Sequence, residues 1–352
     1  MTAPRLEVDL HKVEANARSL VDRLRAKGIR VTGVTKAALG APEVGAAMLR
    51  GGVSGLGDSR VENLERLRDA EVGAPLTLIR SPMPSQVDAV VRACDVSLNS
   101  ELAVLAALSA AAVRHGRPHG VVLMVELGDL REGLAEVDLL DVARVVQREA
   151  GLDLVGVGTN LACQSGVVPD QAKMDRLSHL VTRVEATCGL PLSIVSGGNS
   201  ANLGWALTTG DVGRVDDLRV GEAILLGTDP LDRRPIPDLH TDACTLVAEV
   251  IEAKVKPSQP WGEIAQGAFG VQPPRPGTGT IHQVLLAIGR QDVDPDDLHG
   301  PTGTTILGAS SDHLVIDAGD HALTVGDELT FQLGYSALVR AATSPFVATT
   351  FT

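Results

Sequence analysis

Arg30-Val31-Thr32-Gly33-Val34-Thr35-Lys36-Ala37 is the stretch on which the reading of this chain turns. β-Branched residues and a glycine lead up to one charge, and a turn containing Gly40 and Pro42 follows, so the stretch reads as a short buried strand that ends in a lysine. The chain holds six lysines, and the other five lie in polar or helical surroundings. An ammonium at the end of an apolar strand is poorly solvated, which favours the neutral amine. A neutral amine is what condenses with an aldehyde to give a Schiff base. A strand-end lysine can equally snorkel to solvent, so the rest of the chain decides between the two.

Outward from this strand, short apolar runs alternate with amphipathic segments from residue 9 to about 230. Asp9 is placed to cap a helix to about Ala26, with Val13, Ala17, Leu20, Val21 and Leu24 on one face. Strands are expected near 30–36, 53–57, 76–79, 95–98, 120–126, 153–158, 192–196 and 216–220, with helical segments between them. The runs are continuously apolar, as parallel strands covered on both faces should be. Eight such strands with helical crossovers predict an α/β fold of the (β/α)8 barrel type. An open doubly wound sheet is the rival, but no GxGxxG follows the first strand. After about residue 230 the pattern changes. Arg233-Arg234-Pro235-Ile236-Pro237 reads as a connector, and β-like runs at 243–255, 280–289, 304–308, 313–317 and 328–333 are separated by Pro/Gly-rich loops such as 272–277. The expected division is a barrel over 1–230 and a smaller, mainly β domain over 231–352.

A length of 352 residues suits two domains, and 44% hydrophobic residues supply a sizeable core. A net charge of −13 and a pI near 5.1 argue against nucleic acid or an anionic membrane as partner. One Tyr, two Trp and four Phe leave no platform for stacking bases. Cys94, Cys163, Cys188 and Cys244 show no metal-ligand spacing, so no metal site is expected. With the polar start Met1-Thr2-Ala3-Pro4 they suggest a reducing cytoplasm. No apolar run reaches the roughly 18 residues of a membrane span.

In a barrel of this kind functional residues gather at the C-terminal strand ends. Lys36, Asp58-Ser59-Arg60, Arg80-Ser81, Asn99-Ser100, Gly128-Asp129-Leu130-Arg131, Thr159-Asn160, Ser196-Gly197-Gly198-Asn199-Ser200 and Arg219-Val220-Gly221-Glu222 all fall there. The two glycines of the Ser196–Ser200 segment let backbone N–H groups close on an anion without Cβ obstruction, and the helix that follows adds its positive end. Phosphate sites of barrels commonly lie after strands seven and eight, where the Arg219–Glu222 segment would complete the cup. A glycine turn with a serine N-cap is the plain alternative. Lys36 and the cup match the two ends of pyridoxal 5′-phosphate (PLP): the lysine takes the aldehyde and the cup the phosphate. Arg219 then faces the ring nitrogen, and Arg131 reaches the phenolic oxygen or a substrate carboxylate. Surface ion pairs are the alternative for both arginines.

These residues make the chain resemble the alanine racemase fold family of PLP enzymes, most closely the branch described as alanine/ornithine racemases. The likeness runs through Leu6-Glu7-Val8-Asp9-Leu10, Val34-Thr35-Lys36-Ala37, Gly57-Asp58-Ser59-Arg60, Arg131, Gly158-Thr159-Asn160, the Ser196–Ser200 cup and Arg219-Val220-Gly221. It continues through Ile288-Gly289-Arg290-Gln291-Asp292-Val293-Asp294 and Val325-Gly326-Asp327-Glu328, nearly the whole length. It implies a Schiff base at Lys36, a phosphate held around Asn199, Ser200 and Gly221, and a ring nitrogen facing Arg219. An arginine there disfavours a protonated ring, which suits a reaction that only removes and returns a proton. The implied activity is racemisation of a small-molecule amino acid by two bases, Lys36 on one face and a second acid on the other. A head-to-tail homodimer with shared active sites is also implied.

The family's second base is a tyrosine of the partner's β domain. The segment that matches it is Trp261-Gly262-Glu263-Ile264, where Glu263 stands in its place. Glu263, Asp292 and the sole tyrosine, Tyr335, are the candidates, in that order. Met124 sits where larger members carry a modified lysine, and Asn160 where they carry a histidine, which points away from strict alanine specificity. Asp292, Asp294 and Asp312 are available for the distal ammonium of ornithine or lysine, with a solvated acidic loop as the alternative. His313, in Ser310-Ser311-Asp312-His313, lines the site or caps a β-turn. A PLP carrier would resemble the barrel alone. A PLP decarboxylase would want a C-terminal cysteine motif and a metal-assisted aldolase a C-terminal His/Cys pair, and neither is present.

Overall fold

The structure, a computed structural model, describes residues 2–270, 275 and 277–352. It opens with β1 (Arg5–Val8) and α1 (Leu10–Arg25). Eight strands follow, each handing the chain to a helix: β2 (Arg30–Val34) to α2 (Pro42–Arg50), β3 (Gly55–Asp58) to α3 (Val61–Asp69), β4 (Leu76–Leu78) to α4 (Val87–Ala93), and β5 (Val96–Asn99) to α5 (Leu102–His115). The series continues with β6 (His119–Met124) to α6 (Leu139–Arg148), β7 (Leu152–Gly158) to α7 (Gln171–Cys188), β8 (Ile194–Asn199) to α8 (Leu203–Thr208), and β9 (Asp217–Val220) to α9 (Glu222–Leu226). Neighbouring strands are parallel throughout, and β9 returns to β2 with Val31 opposite Leu218, which closes the barrel. Closure leaves no edge, so the doubly wound alternative does not apply.

Local signals account for the helices. Pro42 opens α2, where its missing N–H is not needed. Asp170 caps α7 by accepting from the Lys173 N–H at 2.9 Å, and Gly189 ends it in the left-handed conformation. The buried face of α1 is Val13, Asn16, Ala17, Leu20, Val21 and Leu24. Leu98, Val122 and Met124 form one buried cluster on the barrel strands, with Ile79, Val96, Val155 and Ile194 packed against it.

The second unit contains β10 (Cys244–Pro257), β11 (Thr280–Leu286), β12 (Leu298–His299), β13 (Thr305–Ala309), β14 (Leu314–Asp317), β15 (Glu328–Leu333), α10 (Tyr335–Thr343) and β16 (Ala348–Phe351). Its sheet runs β12-β15-β10-β11-β14-β13, antiparallel at every step, and the 14-residue β10 is its spine. β1 joins this sheet, antiparallel to β10 and parallel to β16.

The division therefore differs from the expected 1–230 and 231–352. The barrel unit is His11–His240, and the residues up to Leu10 belong with Thr241–Thr352. A local pattern cannot show that β1 finds its ladder partner at Cys244–Val247, far along the chain. Residues 231–240 stay with the barrel because Asn16, buried on α1, donates to the carbonyls of Ile224 and His240 at 2.9 Å each and accepts the His240 N–H at 2.7 Å. β12, β16 and α10 were not anticipated, and most of the 272–277 loop lies outside the described residues.

His119, at the start of β6, is buried with Nε2 2.8 Å from the Ser97 hydroxyl, and burial pushes its pKa down to about 4. The unfolded chain binds a proton below the ordinary value of roughly 6.5, and the folded chain does so only below about 4. Stability from the neutral imidazole is thus complete above 6.5 and declines as pH falls. Between pH 7 and pH 5 the native protein should lose about 2 kcal/mol more than His119→Gln, as urea denaturation at the two pH values will show.

Candidate active site

Thr35 and Lys36 follow β2 directly. Lys36 is half-buried and opens a 3-10 turn, Lys36–Ala38, which Leu39 closes by returning its N–H to the Lys36 carbonyl with a positive φ of 52°. Gly40 is needed next: φ is +64°, and a Cβ there would meet Asn63 Cβ at 2.6 Å. The turn is anchored from β3. Asp58, fully buried, accepts from the Thr35 hydroxyl at 2.8 Å and from Asn63 Nδ2 and the Arg60 N–H at 3.0 Å each. Burial pushes the Asp58 carboxyl up, against the pull of these hydrogen bonds.

Arg219, on β9, is 5% exposed. Its guanidinium donates to Ser196 Oγ at 2.5 Å, to the Thr159 carbonyl at 2.9 Å and to Asn160 Oδ1 at 3.2 Å. Ser196 passes the contact on, donating to Asp217 Oδ2 at 2.6 Å, while Asp217 Oδ1 accepts from the Thr32 hydroxyl at 2.7 Å. Burial lowers the Arg219 pKa and the Asp217 charge opposes it. A guanidinium remains charged regardless. Ser196, expected in the phosphate cup, thus has its hydroxyl engaged in holding Arg219.

The Asn199–Asn202 segment shapes the cup. Asn199 accepts the Ala201 N–H at 2.8 Å, and Asn202 Oδ1 accepts the Asn199 N–H at 3.1 Å, so the two amides brace each other. Gly198 has φ +145°, and a Cβ there would fall 2.0 Å from Asn202 Oδ1. Ser200 accepts from the Ala223 N–H at 3.3 Å, which joins the end of β8 to α9 just after Gly221. Asn199 Nδ2 reaches Asn160 Oδ1 at 3.1 Å, the Leu161 carbonyl at 2.8 Å and Cys163 Sγ at 3.4 Å. Glu222 forms an ion pair with Arg233. Met124 is buried in the core cluster at the end of β6.

Arg131 lies in the loop after β6, paired with Glu132 at 2.6 Å. The loop is held by Asp129, whose buried carboxylate accepts the backbone N–H groups of Cys163, Gln164, Ser165 and Val167 at 2.9–3.3 Å. Burial pushes Asp129 up, but these four donors outweigh it and hold the carboxyl below its usual range. Sequence reasoning quoted Asp129 only as part of a polar strand end, and it missed Thr32, Asp217 and Asn202. The available signal was the alternation of Asp217 and Arg219 with the apolar Leu218 and Val220 in one short strand.

The three candidates for the second base belong to the other unit. Glu263 is exposed in a segment with Trp261 and Ile264, and Phe269 of the same stretch lies under the Arg290 guanidinium, 5.6 Å from its ring centre. Asp292 is buried and accepts from the Ser344 hydroxyl at 2.8 Å. Tyr335 is half-buried at the first position of α10. Asp294 accepts from the Ser336 hydroxyl at 2.5 Å and the Asp296 N–H at 3.3 Å. His313 hydrogen-bonds Asp312 through Nδ1 at 3.0 Å.

Residues 8–229 match the model of the alanine racemase N-terminal domain. The chain belongs to the alanine racemase family. It is 36% identical to a lysine racemase of Thermotoga maritima over 99% of this chain and 98% of that one. It is 35% identical to an ornithine racemase of Acetoanaerobium sticklandii over 98% of each. Among solved structures, the alanine racemase of D-cycloserine-producing Streptomyces lavendulae covers 100% of this chain and 98% of its own, with a TM-score of 0.77 at 21% identity. That likeness speaks for the fold: the barrel followed by a β domain.

Asp217→Asn tests the support of the buried cation. It removes the charge behind Ser196 and Arg219, and chemical denaturation should show a loss of about 2–3 kcal/mol. An unchanged stability would mean that Arg219 needs no counter-charge.

Proposed function

We propose that this chain, an amino-acid racemase, works with pyridoxal 5′-phosphate and acts on a basic amino acid of the lysine and ornithine kind. The observation that carries the cofactor is Asn160. Its amide oxygen is taken by Arg219 and Asn199, which fixes the orientation of the amide, and its Nδ2 is buried with no hydrogen-bond partner among the described residues. An orphaned donor beside a buried guanidinium suits an anionic group rich in acceptors. Lys36 at the end of β2 offers the amine that an aldehyde requires, and Asn199, Ser200 and Gly221 offer a cup for phosphate. Bound there, PLP supplies an aldehyde that captures the substrate amine and a ring that withdraws electrons from the α-carbon.

The chain's own groups then divide the work. Arg219, a pure donor, would hold the ring nitrogen of the cofactor without a proton, which would moderate electron withdrawal and suit a reaction returning the same proton count. Arg131 would hold the phenolic oxygen of the cofactor or the substrate carboxylate. Lys36 Nζ takes the α-proton on one face, and an acid on the other face returns one. Glu263 is the group we assign to that second role, because its carboxyl is exposed whereas Asp292 is engaged by Ser344.

The two relatives that match over nearly their full length support the substrate class. Trp261 and Ile264 are 90% and 67% exposed on one segment, and such exposed apolar side chains support assembly as a homodimer in which that segment completes a partner's site. Four free thiols support a reducing, cytoplasmic setting, and no helix among the described residues is long and apolar enough to cross a membrane.

The test is α-proton exchange in heavy water with chiral chromatography, on both enantiomers of lysine, ornithine and alanine. Lysine or ornithine should exchange and invert. Lys36→Ala should abolish both. Glu263→Gln should cut inversion by about 10²–10⁴-fold while exchange on the Lys36 face persists. Full inversion in that variant would remove Glu263 from the mechanism.

A further inference from the structure

The second unit carries a cavity of about 360 Å³. Ile251 of β10, Ala287 beyond β11 and Phe346 before β16 give it an apolar wall, and Asp292, Asp312 and His313 line it as well. Its size lies at the small end of ligand pockets, roughly 300–1,000 Å³, enough for one amino-acid side chain.

Asp292 makes this more than a dent in the surface. It is 5% exposed, and aspartates are rarely so buried without a counter-charge. Yet among the described residues no lysine, arginine or histidine pairs with it. Its carboxylate accepts only from neutral donors, the Ser344 hydroxyl at 2.8 Å and the Gly289 N–H at 3.4 Å. Asp312, also lining the cavity, accepts from Ser310 Oγ at 3.1 Å, Ser311 Oγ at 3.2 Å and His313 Nδ1 at 3.0 Å. The His313 contact, followed by the serine hydroxyl of Ser310, keeps the Asp312 carboxyl below its usual range. The cavity thus offers a buried carboxyl group with no cationic partner among the described residues, a second carboxylate and an apolar wall. The complementary shape is an alkyl chain that ends in an ammonium.

We propose that this cavity reads the side chain of a basic amino acid, its methylenes lying on Ile251, Ala287 and Phe346 and its terminal ammonium meeting Asp292 and Asp312. The inference rests on the racemase reading for the α-amino end of that molecule and deepens it by naming the residues that set the substrate class. A neutral side chain brings no cation to the Asp292 and Asp312 carboxyl groups, so the pocket selects by charge as well as by length.

Two measurements test it. In the first, the full chain freed of cofactor is titrated calorimetrically with 1,5-diaminopentane, a probe that requires no catalysis. The native protein should bind the diamine, and Asp312→Asn should weaken binding about tenfold or more. Asp292→Asn should weaken it further if it folds, as circular dichroism will show, and the exposed Asp312 provides the variant that does not disturb the core. In the second, the ratio of kcat/KM for lysine to that for norleucine should fall about tenfold or more in Asp312→Asn. Native-like diamine binding together with a native-like ratio in the folded variants would overturn the assignment. If the native protein racemises no amino acid, the racemase reading fails and the titration alone decides: weakened binding in Asp312→Asn supports the cavity as an ammonium site, and unchanged binding overturns it.

Discussion

A guanidinium sealed inside a barrel is the constraint on which much of this structure depends. Moving an isolated cation out of water costs several kcal/mol even after relaxation. Arg219 recovers that cost only because three strands bring acceptors to it at once: the Thr159 carbonyl and Asn160 from the end of β7, Ser196 from β8, and Asp217 behind Ser196 on its own strand. Thr32 donates to that same carboxylate from β2, the strand that leads into the turn bearing Lys36. Closing β9 onto β2 therefore does two things at once. It completes the barrel, and it ties the lysine's strand to the charge network of the arginine.

The same coupling explains why the loops above the strands carry so many committed polar groups. Asp58 fixes the turn that holds Lys36, Asn202 fixes the glycine turn, and Asp129 gathers four N–H groups of the 163–167 segment under the loop that bears Arg131. Asn160 belongs to the same network: its oxygen accepts from Arg219 and Asn199, and among the described residues its NH2 group has no hydrogen-bond partner.

Much of the barrel was legible because parallel strands covered on both faces read as unbroken apolar runs, and each of the eight expected runs became a strand. Lys36 and Arg219 were legible because a charge stands out at the end of such a run. Contacts between strands distant in sequence were not. Nothing local in Arg5–Val8 announces β10 as its partner, which is why the domain boundary was misplaced. Ser196 looked like part of a phosphate cup because its neighbours are glycines, and only the closed barrel shows its hydroxyl committed between Arg219 and Asp217. Asp217 carried a signal, but a polar residue at the first position of a strand is commonly turn chemistry.

The central claim is that Lys36 is the residue that joins the cofactor. Its most direct test is borohydride reduction of the full chain loaded with PLP, followed by peptide mass mapping. One modified peptide is expected, with the added mass on Lys36. Modification at Lys12, Lys27, Lys173, Lys254 or Lys256 instead, with Lys36 untouched, would contradict it.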